Sequence, residues 1–314
     1  MDRPIPTPLG STDGPRSGTG SAEALKQPWV VFEGAVQERS HLPIGWGERA
    51  FRYGDAMFET MRVCKGTPLF FLRHYSRLVR GMDALGYAIP EHWQPTWLRA
   101  QVMALLDKTG YSNARIRITV WRAGSGLYEP QTDTVSWLVE AWPLPEPFYG
   151  LNKEGLQLGV AETVTLAQRP LDAVKSANAL PYVLAARERS QGEWDELILR
   201  NDAGQAVEAT SSNLFVFTHG RLITPPETEG GIPGIMRSVV LQVARKAGIS
   251  VDQQPLSLEE LEGAEELFLT NVVQGMRWVA RFRAKRYPNQ FAAGLFGKLE
   301  EKVLAELTRP WPPR

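Results

Sequence analysis

The chain has 314 residues, enough for two domains with real cores, and its 43% hydrophobic and 22% charged residues are ordinary for a soluble globular protein. Lys plus Arg and Asp plus Glu are equal at 35 each. That balance argues against nucleic acid or an anionic membrane as the main partner, while leaving room for a local basic pocket.

The first 27 residues are rich in Pro, Gly, Ser and Thr, without the apolar centre of a signal peptide, and read as a flexible tail. No apolar run approaches membrane-spanning length. One cysteine, Cys64, allows no intrachain disulfide, so a reducing, cytoplasmic setting is expected.

From Trp29, "WVVFEGAVQ" reads as two strands around a turn at Glu33-Gly34. "RAFRYGDAMFETMRVCKGTPLFF" suggests two strands joined at 65–68. Leu72, Tyr75, Leu78, Val79, Met82 and Leu85 recur at helical spacing before Gly86, and "TWLRAQVMALLDKTG" repeats that design. "NARIRITVWRAG" and "DTVSWLVEAW" read as strands. These elements form an N-terminal α/β unit over 28–142, followed by a loop-like linker at 143–155 and a larger unit over 156–314. In the latter, "LQLGVAETV" is a strand and "PYVLAARERSQG" a helix. "DELILRNDAGQAVEATSSNLFVF" reads as strand, turn at 201–204 and strand. A Gly-rich turn opens the helix "IMRSVVLQVARKAG". "LSLEELEGA" is a short helix, "ELFLTNVVQG" a strand running into a loop, and "GLFGKLEEKVLAELTR" a closing helix. The fold class expected is α+β.

Four places carry candidate chemistry. In "LDAVKSANALP", Lys175 stands among Leu171, Ala173, Val174, Ala177, Ala179 and Leu180, which read as buried. It is either a lysine snorkelling from a strand edge or a desolvated amine of lowered pKa that attacks aldehydes. In "EGGIPGIMR", a Gly-rich turn runs into a helix, which is an ordinary helix start or a cradle for a phosphate. The Gly-Lys-Ser/Thr ending of a nucleotide phosphate loop is absent. In "HYSRL", Arg77 near the start of an amphipathic helix is a solvated charge or a forked phosphate ligand. In "VEATSSNLFVF", Glu208 is an edge-strand glutamate or a buried carboxylate that keeps a cofactor ring nitrogen protonated.

Taken in order, "RYGDAMFETMRV", "HYSRL", "VKSANALPYVLAARE", "DELIL…VEATSSNLFVF", "GIPGIMR" and "LFLTNVVQGMRWV" resemble the class IV aminotransferases, the fold-type IV pyridoxal 5′-phosphate (PLP) enzymes, over roughly 29–280. That family includes branched-chain and D-amino-acid aminotransferases and 4-amino-4-deoxychorismate lyase. The resemblance implies a two-domain enzyme with PLP at the domain interface, and a homodimer in which a second subunit lends a loop to the site.

It further implies that Lys175 forms the internal aldimine and then shuttles the proton, that Arg77 binds the cofactor phosphate, and that Glu208 pairs with the pyridine nitrogen. Backbone N–H groups of Ile235 and Met236 hold the same phosphate, with Met236 replacing a frequent Thr. Asn271 and Val272 match the loop that closes the phosphate cup.

No subfamily signature is complete. Phe58 stands where D-amino-acid aminotransferases tend to carry a tyrosine, and Leu127-Tyr128-Glu129 replaces their Arg-x-His trap. "RIR" supplies the Arg but not the Tyr of the branched-chain Tyr-x-Arg, and Ala179 and Leu180 stand where a tyrosine follows the lysine in those enzymes. The lyases share "GD…F" and a Gly-rich run after an Arg like Arg122, without their second Arg. Strand alternation puts Arg115, Arg117, Thr119 and Trp121 on one face and Arg122 on the other. At least one of Arg52, Arg117 and Arg122 is expected to take a substrate carboxylate. The reading that follows is a PLP-dependent aminotransferase acting on small molecules, an amino acid and a 2-oxo acid. The alternatives are 4-amino-4-deoxychorismate lyase and a PLP carrier without turnover.

Overall fold

The structure is a computed structural model that describes residues 28–169, 171 and 174–311. The expected tail at 1–27 and Ala173 lie outside the described residues. Near the N-terminus, β1 (Trp29–Phe32) and β2 (Ala35–Glu38) form a hairpin. Its two turn residues, Glu33 and Gly34, both have positive φ, the backbone that matches strand twist. Arg49–Tyr53 then forms a short helix, α1, rather than the start of a strand, and Gly54 ends it in the left-handed conformation. Local hydrogen bonding decides this: the Arg49 guanidinium binds Asp55 (2.8 Å) and the Leu127 carbonyl (2.6 Å), which fixes the turn.

Next come β3 (Ala56–Cys64), β4 (Thr67–Pro68), α2 (Phe71–Ala84), α3 (Pro95–Thr109), β5 (Ala114–Arg122) and β6 (Val135–Pro143). The six strands lie in the order β2-β1-β6-β5-β3-β4. The apolar stripes of α2 and α3 pack on one face, where Leu78, Met82, Leu98, Val102 and Leu105 meet Met57, Met61, Ile116, Ile118 and Val120.

A second sheet begins with β7 (Leu156–Leu166). It is followed by α4 (Leu180–Ser190), β8 (Glu196–Asn201), β9 (Ala206–Ala209), β10 (Ser212–Thr218) and β11 (Arg221–Thr224). Then come α5 (Ile235–Lys246), β12 (Ser250–Gln253), α6 (Leu258–Gly263), β13 (Glu266–Asn271), β14 (Gly275–Phe282), β15 (Lys285–Arg286) and α7 (Gln290–Leu307). The strand order is β12-β11-β10-β13-β14-β7-β8-β9, and β9 also pairs with β10, so six of the strands close into a ring. That closure is why "AVEATSSNLFVF" is two strands and not one. The chain reverses at Thr210-Ser211, and Ala209 pairs with Ser212. β11 and β14 each fold back on the strand just before them, through the turns at His219-Gly220 and 272–274, and β12 pairs in parallel with β11; the sequence reading named none of the three.

β3 serves both halves. Met57, Met61 and Val63 point into the first core. Phe58, Thr60, Arg62 and Cys64 alternate onto the other face, and Cys64 packs in the second core with Phe215, Met236 and Phe268. No helix among the described residues is long and apolar enough to cross a membrane.

Phe215 is fully buried and stacks on Phe268 with ring centroids 4.9 Å apart. Phe215→Ala is expected to lower unfolding free energy by about 3–5 kcal/mol in denaturant titration, from lost burial plus the residual cavity.

Candidate active site

A cavity of about 460 Å³ opens between the two sheets. Its lining includes Phe58, Arg77, Arg117, Lys175, Glu208, Ile235, Met236, Asn271 and Val272. These stretches are far apart in sequence, and the fold brings them to one place.

The lysine segment is held by β3. Phe58 N–H donates to the Lys175 carbonyl (3.0 Å), Ala177 N–H donates to the Ala56 carbonyl (2.7 Å), and Met57 bridges Ser176. The surroundings differ from the expectation of a uniformly apolar bed: Leu171 and Leu180 are exposed, and Val174, Ala177 and Ala179 are half-buried. The amine is covered by the β3 side chain beside its own segment. Nζ lies 4.4 Å from the Phe58 ring centroid, and Arg117 Cζ lies 3.7 Å from the same centroid. Burial, reinforced by the Arg77 charge, holds the Lys175 pKa down to about 8.

Glu208 sits on β9, buried between β8 and β10. It accepts hydrogen bonds from Tyr182 Oη (2.6 Å), Asn213 Nδ2 (3.0 Å) and the Ile232 N–H (3.2 Å). Burial outweighs these bonds and pushes its pKa up to about 7. Asn213 Nδ2 also binds the Ile232 carbonyl (2.8 Å), tying Glu208 to the Gly-rich turn. A Cβ on Gly234 would collide with Asn213 Oδ1, so glycine is required there.

Gly234 is the N-cap of α5, and no side chain caps that end. The free N–H groups of the first turn and the positive end of the helix dipole thus face the cavity beside Ile235 and Met236. The Thr270 hydroxyl, on the cavity wall, is buried with no hydrogen-bond partner among the described residues. An uncapped helix end, an arginine and an orphaned hydroxyl are the donor set an oxyanion needs.

Arg77 does not stand alone. Its Nε and Nη2 donate to the two oxygens of Glu59 (2.7 Å each), and Nη1 donates to the Pro233 carbonyl (2.8 Å). His74 Nδ1 lies 2.7 Å from the same carboxylate. Burial alone would raise the Glu59 pKa, but the Arg77 charge and hydrogen bonds hold it down to about 2. The sequence reading missed Glu59, His74, Tyr182 and Thr270. For Glu59 a signal exists: it shares a strand face with Met57 and Met61, and a carboxylate on an apolar face demands a cation. Arg77 supplies it, and His74, at helical i−3 spacing, adds a second contact to the carboxylate.

The four substrate-side candidates separate. Phe58 and Arg117 line the cavity, as does Arg115. Arg117 spends one hydrogen bond on Thr119 (Nε to Oγ1, 3.1 Å). Arg122 points the other way, into a network with Asp55, Asp133 and the Leu85 and Gly86 carbonyls. Arg52 is exposed on α1 beside Tyr53. The Asn271 side chain folds its own loop, with Oδ1 accepting from the N–H groups of Val273 (3.0 Å) and Gln274 (2.8 Å).

Two measurements test these electrostatics. Competitive acetylation of Lys175 read by mass spectrometry is expected to show a titration midpoint near 8 rather than the ordinary 10.5. The Glu59–Arg77 pair contributes fully above about pH 4.5 and is lost as pH falls toward 2. Glu59→Gln should therefore cost about 3–5 kcal/mol at neutral pH, by leaving Arg77 buried without its partner, and should flatten the acid limb of the stability profile.

The sequence profile of amino-transferase class IV matches residues 56–282. A provisionally named branched-chain-amino-acid aminotransferase of Methanocaldococcus jannaschii is 32% identical over 87% of this chain and 94% of its own length. The crystal structure of the branched-chain aminotransferase of Thermoproteus uzoniensis, solved with norvaline, superposes with a TM-score of 0.80 at 22% identity, covering 89% of this chain and 96% of that one. The 4-amino-4-deoxychorismate lyase of Pseudomonas aeruginosa superposes with a TM-score of 0.76 at 27% identity, covering 87% and 99%. The chain belongs to the class IV aminotransferases, a family of PLP-dependent enzymes with the fold-type IV architecture.

Proposed function

We propose that the protein is an aminotransferase that moves an amino group between an amino acid and a 2-oxo acid. The observation that carries this reading is one cavity holding a buried amine of lowered pKa, a buried carboxylate and an uncapped helix end.

The donor set fits the parts of PLP in turn. The first turn of α5, at Ile235 and Met236, would take the phosphate together with Arg77 and the Thr270 hydroxyl, and Asn271 and Val272 would close that cup. Glu208 would pair with the ring nitrogen. When bound, PLP supplies an electron sink for the carbanion left after proton loss.

The protein's own contribution is proton transfer and positioning. Lys175 Nζ, its pKa held down to about 8, would accept the proton from the substrate α-carbon and hold it for its return. Glu208, with Tyr182 and Asn213 fixing its two oxygens, would pair in its ionised form with a protonated ring nitrogen. Arg117, stacked on Phe58 and holding two terminal nitrogens free of protein partners among the described residues, takes the substrate carboxylate. Arg52 and Arg122 are left out of this assignment, because neither reaches the cavity.

The reading includes two domains, 28–142 and 156–314, joined by 143–155, a cytoplasmic setting and a homodimer. Trp46, Phe51, Leu127 and Tyr128 are between 72% and 90% exposed, which supports burial against a second copy. Light scattering should return twice the chain mass of 35.1 kDa, and a monomer would remove that part.

Resemblance to the lyases keeps a second reading open, in which the same α-proton loss leads to elimination of pyruvate. Pyruvate formed from aminodeoxychorismate without any oxo-acid acceptor would select it.

For the transaminase, a panel of L- and D-amino acids should bleach the bound cofactor's absorbance, an oxo acid should restore it, and the kinetics should be ping-pong. Lys175→Ala should lower the bleaching rate by about 10³-fold or more while PLP still binds. Glu208→Gln should slow it by about 10²–10³-fold. Bleaching at an unchanged rate in Lys175→Ala would refute the assignment.

A further inference from the structure

Arg62 has no part in the chemistry above, yet it is among the most deeply buried charges in the chain, 4% exposed. Among the described residues no carboxylate pairs with it. Its guanidinium donates to main-chain carbonyls instead: Nη1 to Val273 (2.5 Å), and Nη2 to Glu146 (2.5 Å) and Phe148 (3.1 Å). Nε lies 3.3 Å from Cys64 Sγ, and Cζ lies 4.9 Å from the Tyr149 ring centroid. Tyr149, itself 6% exposed, donates its hydroxyl to the Val272 carbonyl (2.6 Å). Its ring packs on Gly275, where a Cβ would come within 2.8 Å of it.

A buried cation without a counter-ion is a costly way to fill space, and an apolar side chain of the same volume packs as well or better. What the cation provides is direction. Two successive carbonyls of the 271–275 loop, those of Val272 and Val273, are drawn toward Tyr149 and Arg62. In a trans peptide the C=O and the following N–H point opposite ways. The N–H groups of Val273 and Gln274 are thereby turned to the other edge of the loop, where both meet Asn271 Oδ1. Asn271, Val272, Val273 and Gln274 all line the cavity. Glu146, Phe148 and Tyr149 belong to the linker between the two sheets, and Arg62 belongs to β3.

We propose that Arg62 and Tyr149 are positioning residues that clasp the interdomain linker to the cup loop and keep its carbonyl dipoles turned away from a bound phosphate. The affinity for the phosphate group then depends on how the linker is seated. This rests on the reading above that the cofactor phosphate lies at the 271–275 loop.

The test compares PLP with pyridoxal, which lacks only the phosphate, in equilibrium binding to the apoprotein. Wild type is expected to prefer PLP by about 100-fold or more, as charge-assisted hydrogen bonds imply. Tyr149→Phe, which removes one hydroxyl and keeps the packing, should lower that preference about fivefold, and Arg62→Met about tenfold or more, with pyridoxal affinity held within about twofold. Arg62→Lys should recover part of the preference. A general loosening of the fold would weaken both ligands equally, and that outcome, or an unchanged preference in Tyr149→Phe, overturns the clasp. Absence of any preference in wild type overturns the clasp together with the phosphate assignment, which separates the two failures.

Discussion

Withdrawal of the Lys175 amine from water is the constraint around which the site is arranged. An ammonium loses hydration when buried, and here it lies near two guanidinium groups and the face of an aromatic ring. Two carboxylates pull the other way, Glu59 and Glu208. The outcome is an amine that gives up its proton near the pH of a cell. Glu208 is displaced in the opposite sense, to about 7. Two buried groups displaced this far from their ordinary proton affinities in one cavity mark a candidate functional site.

The scaffold that sustains this arrangement is β3. One of its faces carries Glu59, which fixes Arg77 from behind with both carboxylate oxygens. The other carries Phe58 against the lysine and Arg62 against the linker and cup loop. Its backbone binds the lysine segment directly. A single strand with alternating faces thereby sets the amine, the main arginine and the far loop in one frame. This is the precision that regular elements provide and loops alone do not.

Much of this was legible in the residues. The helix stripes, the stop glycines and the alternating strands follow from local periodicity, and α2, α3, α5, β5 and β6 lie where those patterns put them. Lys175, Arg77 and Glu208 were visible as charges in unusual settings, and their shared cavity follows only from long-range pairing. What escaped was of two kinds. The turn at Thr210-Ser211 splits one apolar run, β11 and β14 are short hairpin returns, and β12 joins β11 from beyond α5, so their strand character shows only once their partners are in place. Tyr182, Thr270 and the Arg62–Tyr149 contacts depend on which atoms meet across long stretches of sequence. Glu59 is legible in β3 as a carboxylate in line with Met57 and Met61, on the face that alternation turns toward the core.

The central claim is that Lys175 Nζ is the atom joined to the cofactor. Borohydride reduction of the PLP-loaded protein, followed by proteolysis and mass mapping, tests it most directly. The account predicts one phosphopyridoxyl group on the peptide containing Lys175, with the yellow absorbance lost on reduction. A reduced adduct on any other lysine, or no adduct on a protein that has taken up the cofactor, would contradict it.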